Sequence, residues 1–170
     1  MRIKKEKLAG KIFHSHMQKN LKDEYFMQLA IREAKMARGP KRFGAVVVKN
    51  NEVIARARNT TYETQNPITC AEVLAISKAA KKLRNRKLTG CTIYTTGESC
   101  LMCLGAILRA RIRKVVVGFD HREYNKLDGR KDLNPWSKHS KEIIPPYVKI
   151  KTGVLREKCM SVLFNPRYEN

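Results

Sequence analysis

The chain has 170 residues, 42% of them hydrophobic, enough for one domain with a buried core, and no apolar run is long enough to span a bilayer. Lys and Arg number 36 against 15 Asp and Glu, and the resulting net charge of +21 creates a field attractive to phosphates. Residues 1–22 are rich in Lys and Arg but lack the apolar centre of a secretion signal. They are expected to form a basic N-terminal extension ahead of a single domain over 23–170. An odd count of five cysteines, with no export signal, fits a reducing, cytoplasmic setting.

In chain order, Phe26, Leu29, Ala30, Ala34 and Ala37 are spaced for a helix, with Asp23 and Glu24 at its front and Gly39-Pro40 as its stop. Phe43–Val48 and Val53–Arg58 read as a hairpin turning through Asn50-Asn51. Val73, Leu74, Ile76, Ala79 and Ala80 predict a helix from Cys70, and Thr92–Thr95 a short buried strand. Leu104, Ala106, Ile107 and Ala110 predict a further helix from Cys100, followed by a strand over Val115–Phe119. Asp120 to Pro146, with Gly129, Pro135, Pro145 and many charges, reads as a loop or short helix. Tyr147–Lys151 makes a fifth strand and Val154–Leu163 a closing helix. This alternation implies the α/β class: a mixed sheet covered by helices on both faces, with a site at strand-to-helix turns.

Cys70 with Glu72 in Thr-Cys-Ala-Glu, and Cys100 with Cys103 in Ser-Cys-Leu-Met-Cys, both fall at predicted helix starts. Cysteines are often plain core residues, as Cys91 and Cys159 are expected to be, and one pair three apart is weak evidence of a metal. Placement strengthens the case. Free N–H groups and the positive end of the helix dipole stabilise thiolates there, which is the form that binds metal. Thr69 and Ser99 are expected as the N-caps, reached through turns at Asn66-Pro67 and Gly97. Three sulfur donors leave a fourth position of a Zn²⁺ open to water, whose pKa drops to about 7 on catalytic zinc. Glu72 lies in the first turn, within reach of that position; taken alone it also reads as a solvated glutamate complementing the dipole.

Cys-Ala-Glu followed by Ser-Cys-Leu-Met-Cys resembles the His/Cys-Ala-Glu and Pro-Cys-x-x-Cys pair of the zinc-dependent cytidine and deoxycytidylate deaminase superfamily. The likeness runs from about Tyr25 to Leu163. Phe43-Gly-Ala-Val-Val-Val-Lys, Ile54 to Asn59, Met102-Cys-Leu-Gly-Ala-Ile and Lys114-Val-Val-Val-Gly-Phe-Asp-His resemble guanine deaminases. Gly153-Val-Leu-Arg-Glu-Lys-Cys resembles the closing helix of bacterial tRNA adenosine deaminases. The resemblance implies a three-layer α/β/α, cytidine deaminase-like fold with a five-stranded mixed sheet. It also implies Zn²⁺ on Cys70, Cys100 and Cys103, with Glu72 as the proton carrier. Further implied contacts are the Ala71 N–H on a ring oxygen, Asn59 against base or sugar, and Glu123 assisting with the base. From the residues alone, Asn59 is a turn asparagine, Glu123 a solvated loop glutamate and His121 a surface histidine. Tyr124 and Trp136 likewise read as cover for core edges before they read as base-stacking rings. Two departures stand out: Cys70 where the guanine and tRNA branches have histidine, and Ser99 where proline is usual.

The implied reaction is hydrolytic exchange of an exocyclic ring amine for oxygen, with release of ammonia. A free purine base or nucleoside, guanine first, is the expected substrate. Adenosine in tRNA or other RNA is the alternative, supported by charge and closing helix but opposed by the absence after Phe119 of a Lys-Thr-Gly-Ala-Ala-Gly type loop. Cys70 admits cytidine or cytosine as well. A zinc-stabilised nucleic-acid-binding module without catalysis ranks last, because Glu72 is present. Basic clusters over Arg2 to Lys7, Lys81 to Lys87 and Arg109 to Lys114 invite an RNA or tRNA partner, yet they also read as solvated helix ends, since charge carries no base readout. No membrane partner is expected, and a homodimer is expected by analogy.

Overall fold

The computed structural model describes residues 2–120 and 144–163, with side chains from Met17 onward. A long helix α1 (Arg2–Met36) leads into β1 (Gly44–Lys49) and β2 (Glu52–Arg58), then a single turn α2 (Thr61–Thr64) and α3 (Ala71–Leu83). There follow β3 (Cys91–Gly97), α4 (Leu101–Arg109), β4 (Lys114–Phe119), β5 (Lys149–Lys151) and α5 (Arg156–Leu163). The sheet order is β2-β1-β3-β4-β5, antiparallel across its first two pairings and parallel across its last two. This is the five-stranded mixed sheet expected from the sequence.

Alternation along the strands separates two cores, because successive side chains of a strand point to opposite faces. Ala45 and Val47 of β1, with Ile93, Val115 and Val117, pack against Ala71, Ala75 and Ala79 of α3 and Ile107 of α4. Val46, Val48 and Val116 face the other way, onto Phe26, Met27, Ala30 and Ala34 of α1 and Cys159 and Val162 of α5. The result is three layers, α1 and α5 on one face and α3 and α4 on the other. Alanines at spacing four on α3 expose little but backbone to the sheet, so the helix that carries Glu72 lies close against it. Gly44 does the same for α1: a Cβ there would stand 2.0 Å from the Ala30 carbonyl oxygen.

The hairpin turns at Asn50 and Asn51, whose φ of 51° and 63° give the two positive values of a type I′ turn. Asparagine tolerates that region better than most residues. Several boundaries differ from expectation. The first helix starts at Arg2 rather than at Asp23, since nothing from Met17 to Lys22 breaks a helix. Asp23 is no solvated first-turn residue: its carboxylate is buried and accepts from Tyr94 Oη at 2.8 Å and Lys151 Nζ at 2.9 Å, with Lys114 Nζ at 3.5 Å. Strand β3 runs on to Gly97, two residues beyond the expected Thr95, which carries it to the approach of Cys100. Strand β5 is shorter than expected and leaves Tyr147 exposed beneath the Arg113 guanidinium, 5.0 Å above its ring. Most of the expected loop from Asp120 to Pro146 lies outside the described residues. No helix among those described is long and apolar enough to cross a membrane.

Candidate active site

Strands β2 and β3 both run antiparallel to β1, so their C-terminal ends leave the sheet at the same edge. The chain beyond β2 reaches α3 by way of α2, and the chain beyond β3 enters α4 directly. Two helix starts are thereby brought side by side. Cys70 and Cys100 occupy the N-cap positions with extended backbones, φ −65° and ψ 153°, and φ −70° and ψ 167°. The first intrahelical bonds close onto them, Leu74 N to Cys70 O at 3.0 Å and Leu104 N to Cys100 O at 2.8 Å.

Thr69 and Ser99, expected as caps, each stand one residue too early. Thr69 Oγ1 donates to Asn66 O at 2.9 Å and closes its own turn, whereas Ser99 Oγ donates to Glu72 Oε1 at 2.9 Å. The cap position falls to the cysteines, and that placement turns their sulfurs toward one another.

The sulfur atoms of Cys70, Cys100 and Cys103 all lie within 4.8 Å of one another. Zinc–sulfur bonds of about 2.3 Å in a tetrahedron would place them roughly 3.8 Å apart, so the three thiols fit the ion with only a small inward movement. Cys103 is buried while Cys70 and Cys100 are half-buried, which leaves one side of the cluster approachable. The S–H groups of Cys103 and Cys70 bond toward Cys100, and with help from the Met102 and Cys103 N–H groups they hold its thiol well below the ordinary value. The same bonding to Cys100 pushes the Cys70 and Cys103 thiols up. A divalent ion is what would let all three sulfurs ionise together.

Glu72 is the second residue of α3 and is 6% exposed, so the reading of a solvated first-turn glutamate does not hold. Burial drives its carboxyl above the ordinary range; its own N–H and the Ser99 hydroxyl pull it back, and the Cys100 charge adds to the rise. Thr95 Oγ1 stands 3.3 Å from the same oxygen that Ser99 contacts. A buried carboxylate with a raised pKa beside a cluster of metal donors is the arrangement that general acid–base chemistry requires.

Asn59 is also buried, and its amide is engaged by the chain itself: Nδ2 donates to Lys41 O at 2.7 Å, and Oδ1 accepts from Thr61 N at 3.0 Å. Those bonds match the turn asparagine read from the residues alone. Ala71 opens α3 and is fully buried, its N–H among those that helix geometry does not pair internally. Glu123, His121, Tyr124 and Trp136 lie outside the described residues. Sequence reasoning missed Ser99 as the partner of Glu72 and Thr95 as its neighbour. The available signal was a buried strand ending in two threonines and a serine in the usual place of proline.

Residues 20–119 match the family model described as the cytidine and deoxycytidylate deaminase zinc-binding region. The chain belongs to this family. Among relatives, the tRNA-specific adenosine deaminase of Bacillus subtilis (strain 168) is 39% identical over 144 residues, 83% of this chain and 86% of that protein. The tRNA-specific adenosine deaminase of Aquifex aeolicus (strain VF5) is 43% identical over 95 residues, 55% of this chain and 63%, less than two thirds, of that protein. A structure from work on A-to-I editing by tRNA:A34 deaminases at the wobble position superposes with a TM-score of 0.66 at 28% identity, covering 82% of this chain and 99% of that one. Guanine deaminase from Bacillus subtilis superposes with a TM-score of 0.58 at 35% identity, covering 72% and 77%. The deaminase fold expected from the sequence is therefore present, and the chain is a zinc-dependent hydrolase acting on a nucleobase or nucleoside.

Proposed function

We propose that this deaminase holds its zinc on Cys70, Cys100 and Cys103, uses Glu72 as proton carrier, and acts on adenosine within RNA, tRNA first, rather than on free guanine. The observation that carries the chemistry is the buried Glu72 carboxylate, which shares its edge of the sheet with three converging sulfurs. The choice of substrate rests on the two relatives above, both tRNA-specific adenosine deaminases.

Two of the segments that favour guanine carry residues with packing roles. Gly44 makes room for α1, Ala45 belongs to the core beneath α3, and Leu104 and Ile107 are on the buried side of α4. Such residues serve the fold whatever base is bound.

When bound, zinc supplies the Lewis acidity that makes water a nucleophile near neutral pH. Glu72 accepts one proton of the attacking water and delivers it to the ring nitrogen; it then takes the second, from the added hydroxyl as its oxygen becomes the ring carbonyl, and passes it to the departing amine. Water enters and ammonia leaves, so the carboxylate ends the cycle as it began. The elevated pKa of Glu72 suits a group that must give up a proton as readily as it takes one.

A homodimer acting in the cytoplasm belongs to the same proposal. Leu101 and Met102, 45% and 40% exposed at the start of α4, offer apolar surface next to the site for a second copy to cover.

The test is a product screen with zinc-loaded protein on tRNA, adenosine, guanine, cytidine and cytosine. Inosine appearing in tRNA, with ammonia in equal amount, is the expected result. Ammonia from free guanine and none from tRNA would transfer the assignment to the guanine deaminase branch.

A further inference from the structure

We propose that Ser99 is a positioning residue for the deamination: its hydroxyl holds Oε1 of Glu72 and thereby aims the other carboxylate oxygen at the reacting ring. The proposal rests on Glu72 being the proton carrier. Ser99 reaches Glu72 from the opposite half of the site, one residue before α4, whereas Glu72 belongs to α3. Oγ and Oε1 are 2.9 Å apart, with the two residues 2% and 6% exposed, so bulk water does not compete for the contact.

Thr95 stands near the same oxygen but is spoken for. Its hydroxyl lies 2.8 Å from Gly97 O against 3.3 Å from Oε1, and one hydroxyl has one proton to donate. The shorter contact takes it, which leaves Ser99 as the hydroxyl that donates to Oε1.

A glutamate side chain rotates about several bonds, and its two oxygens are equivalent until something distinguishes them. Pinning Oε1 does so. The bond is compatible with the whole proton cycle, because Oε1 can accept from Ser99 whether the other oxygen is ionised or protonated. Proline at this position would have no hydroxyl to offer, so Ser99→Pro removes the donor.

The experiment compares Ser99→Ala, Ser99→Pro and Ser99→Thr with the parent, all zinc-loaded, on the substrate that the product screen identifies. Loss of one hydrogen bond to a charged group should lower kcat about ten- to hundredfold in Ser99→Ala and Ser99→Pro, with KM and zinc content unchanged. Ser99→Thr, which keeps the hydroxyl, should recover most of the rate. Parental kcat in both Ser99→Ala and Ser99→Pro overturns the proposal, as does loss of zinc in both, which would show that Ser99 acts through the neighbouring cysteines. Ser99→Pro keeps the test open if Ser99→Ala alone fails to fold. Glu72→Gln is measured alongside: activity in that variant would sink the proton-carrier reading itself, whereas an inactive Glu72→Gln with fully active Ser99 variants would sink only the positioning role.

Discussion

Cys70 and Glu72 are two residues apart yet do different work, and substitution separates them. Cys70→Ser removes one of three converging sulfurs, so zinc content measured by metal analysis should fall clearly below one ion per chain. Cys91→Ala, at a buried sulfur outside the cluster, should leave it unchanged. Glu72→Ala should keep the zinc and lose activity by on the order of a hundred- to ten-thousandfold, the range for removal of a general acid–base group. Zinc loss in Glu72→Ala would mean that the carboxylate is a ligand. These residues were legible in the sequence because their chemistry is local: each sulfur and the carboxylate fall at a helix start that spacing alone reveals. Ser99 and Thr95 were not, since their meaning depends on a carboxylate more than twenty positions away in the chain. Asn59 lies between these cases. Turn chemistry predicted its local bonds, and the fold closes them with a Lys41 carbonyl that periodicity could not locate.

At the scale of elements, the strand and helix types were readable from periods of two and of 3.6, and the boundaries were not. The start of α1 shows why. Asp23 reads as the front of a helix until β3, β4 and β5 bring Tyr94, Lys114 and Lys151 to it. Burial alone would raise the Asp23 carboxyl, but the bonds from Lys151 and Tyr94 and the charges of Lys114 and Lys151 outweigh it and hold the pKa below 3.8. A depressed carboxyl contributes stability that is complete above its unfolded value and disappears as pH falls through the folded one. Asp23→Ala should therefore be destabilised at neutral pH, and the gap to the parent in urea unfolding should narrow as pH falls below the ordinary carboxylate range. The cost should be about 1–3 kcal/mol, and its pH-dependent part is the bonding of the ionised carboxylate to Lys151 and Tyr94. Both lysines are more than a third exposed, so screening reduces their share. A gap that stays constant with pH would remove the carboxylate from the account. Gly44→Ala probes the neighbouring contact. Its Cβ would meet helix backbone rather than a movable side chain, so a loss of about 1–3 kcal/mol or more is expected in the same measurement.

For the whole molecule the open matter is what a net charge of +21 is for. The sequence shows the basic runs; the fold shows that two of them, Lys81 to Lys87 and Arg109 to Lys114, meet. Arg86 and Lys87 beyond α3, and Arg109 and Arg111 at the end of α4, line a cavity of about 520 Å³ floored by Ile76, Ala80, Ala106 and Ala110. Its lining runs from Ile76 and Ala106, about 9 Å along α3 and α4 from the cysteines at their starts, to the basic residues at and beyond the far ends of both helices. A free base in the site would not extend to the basic residues at the far ends of the helices, whereas the backbone of an RNA chain can. If RNA is the substrate, log affinity for tRNA should fall linearly with log salt, with a slope of about −3 or steeper, corresponding to several phosphates neutralised. Arg86→Ala and Arg111→Ala should each weaken tRNA binding and flatten that slope by about one, while zinc content and any turnover of free adenosine stay at parental levels. A flat salt response in the parent would assign the charge to solubility or to another partner. A steep slope untouched by both variants would instead place the RNA on a different basic face, leaving the chemistry at Glu72 as it stands.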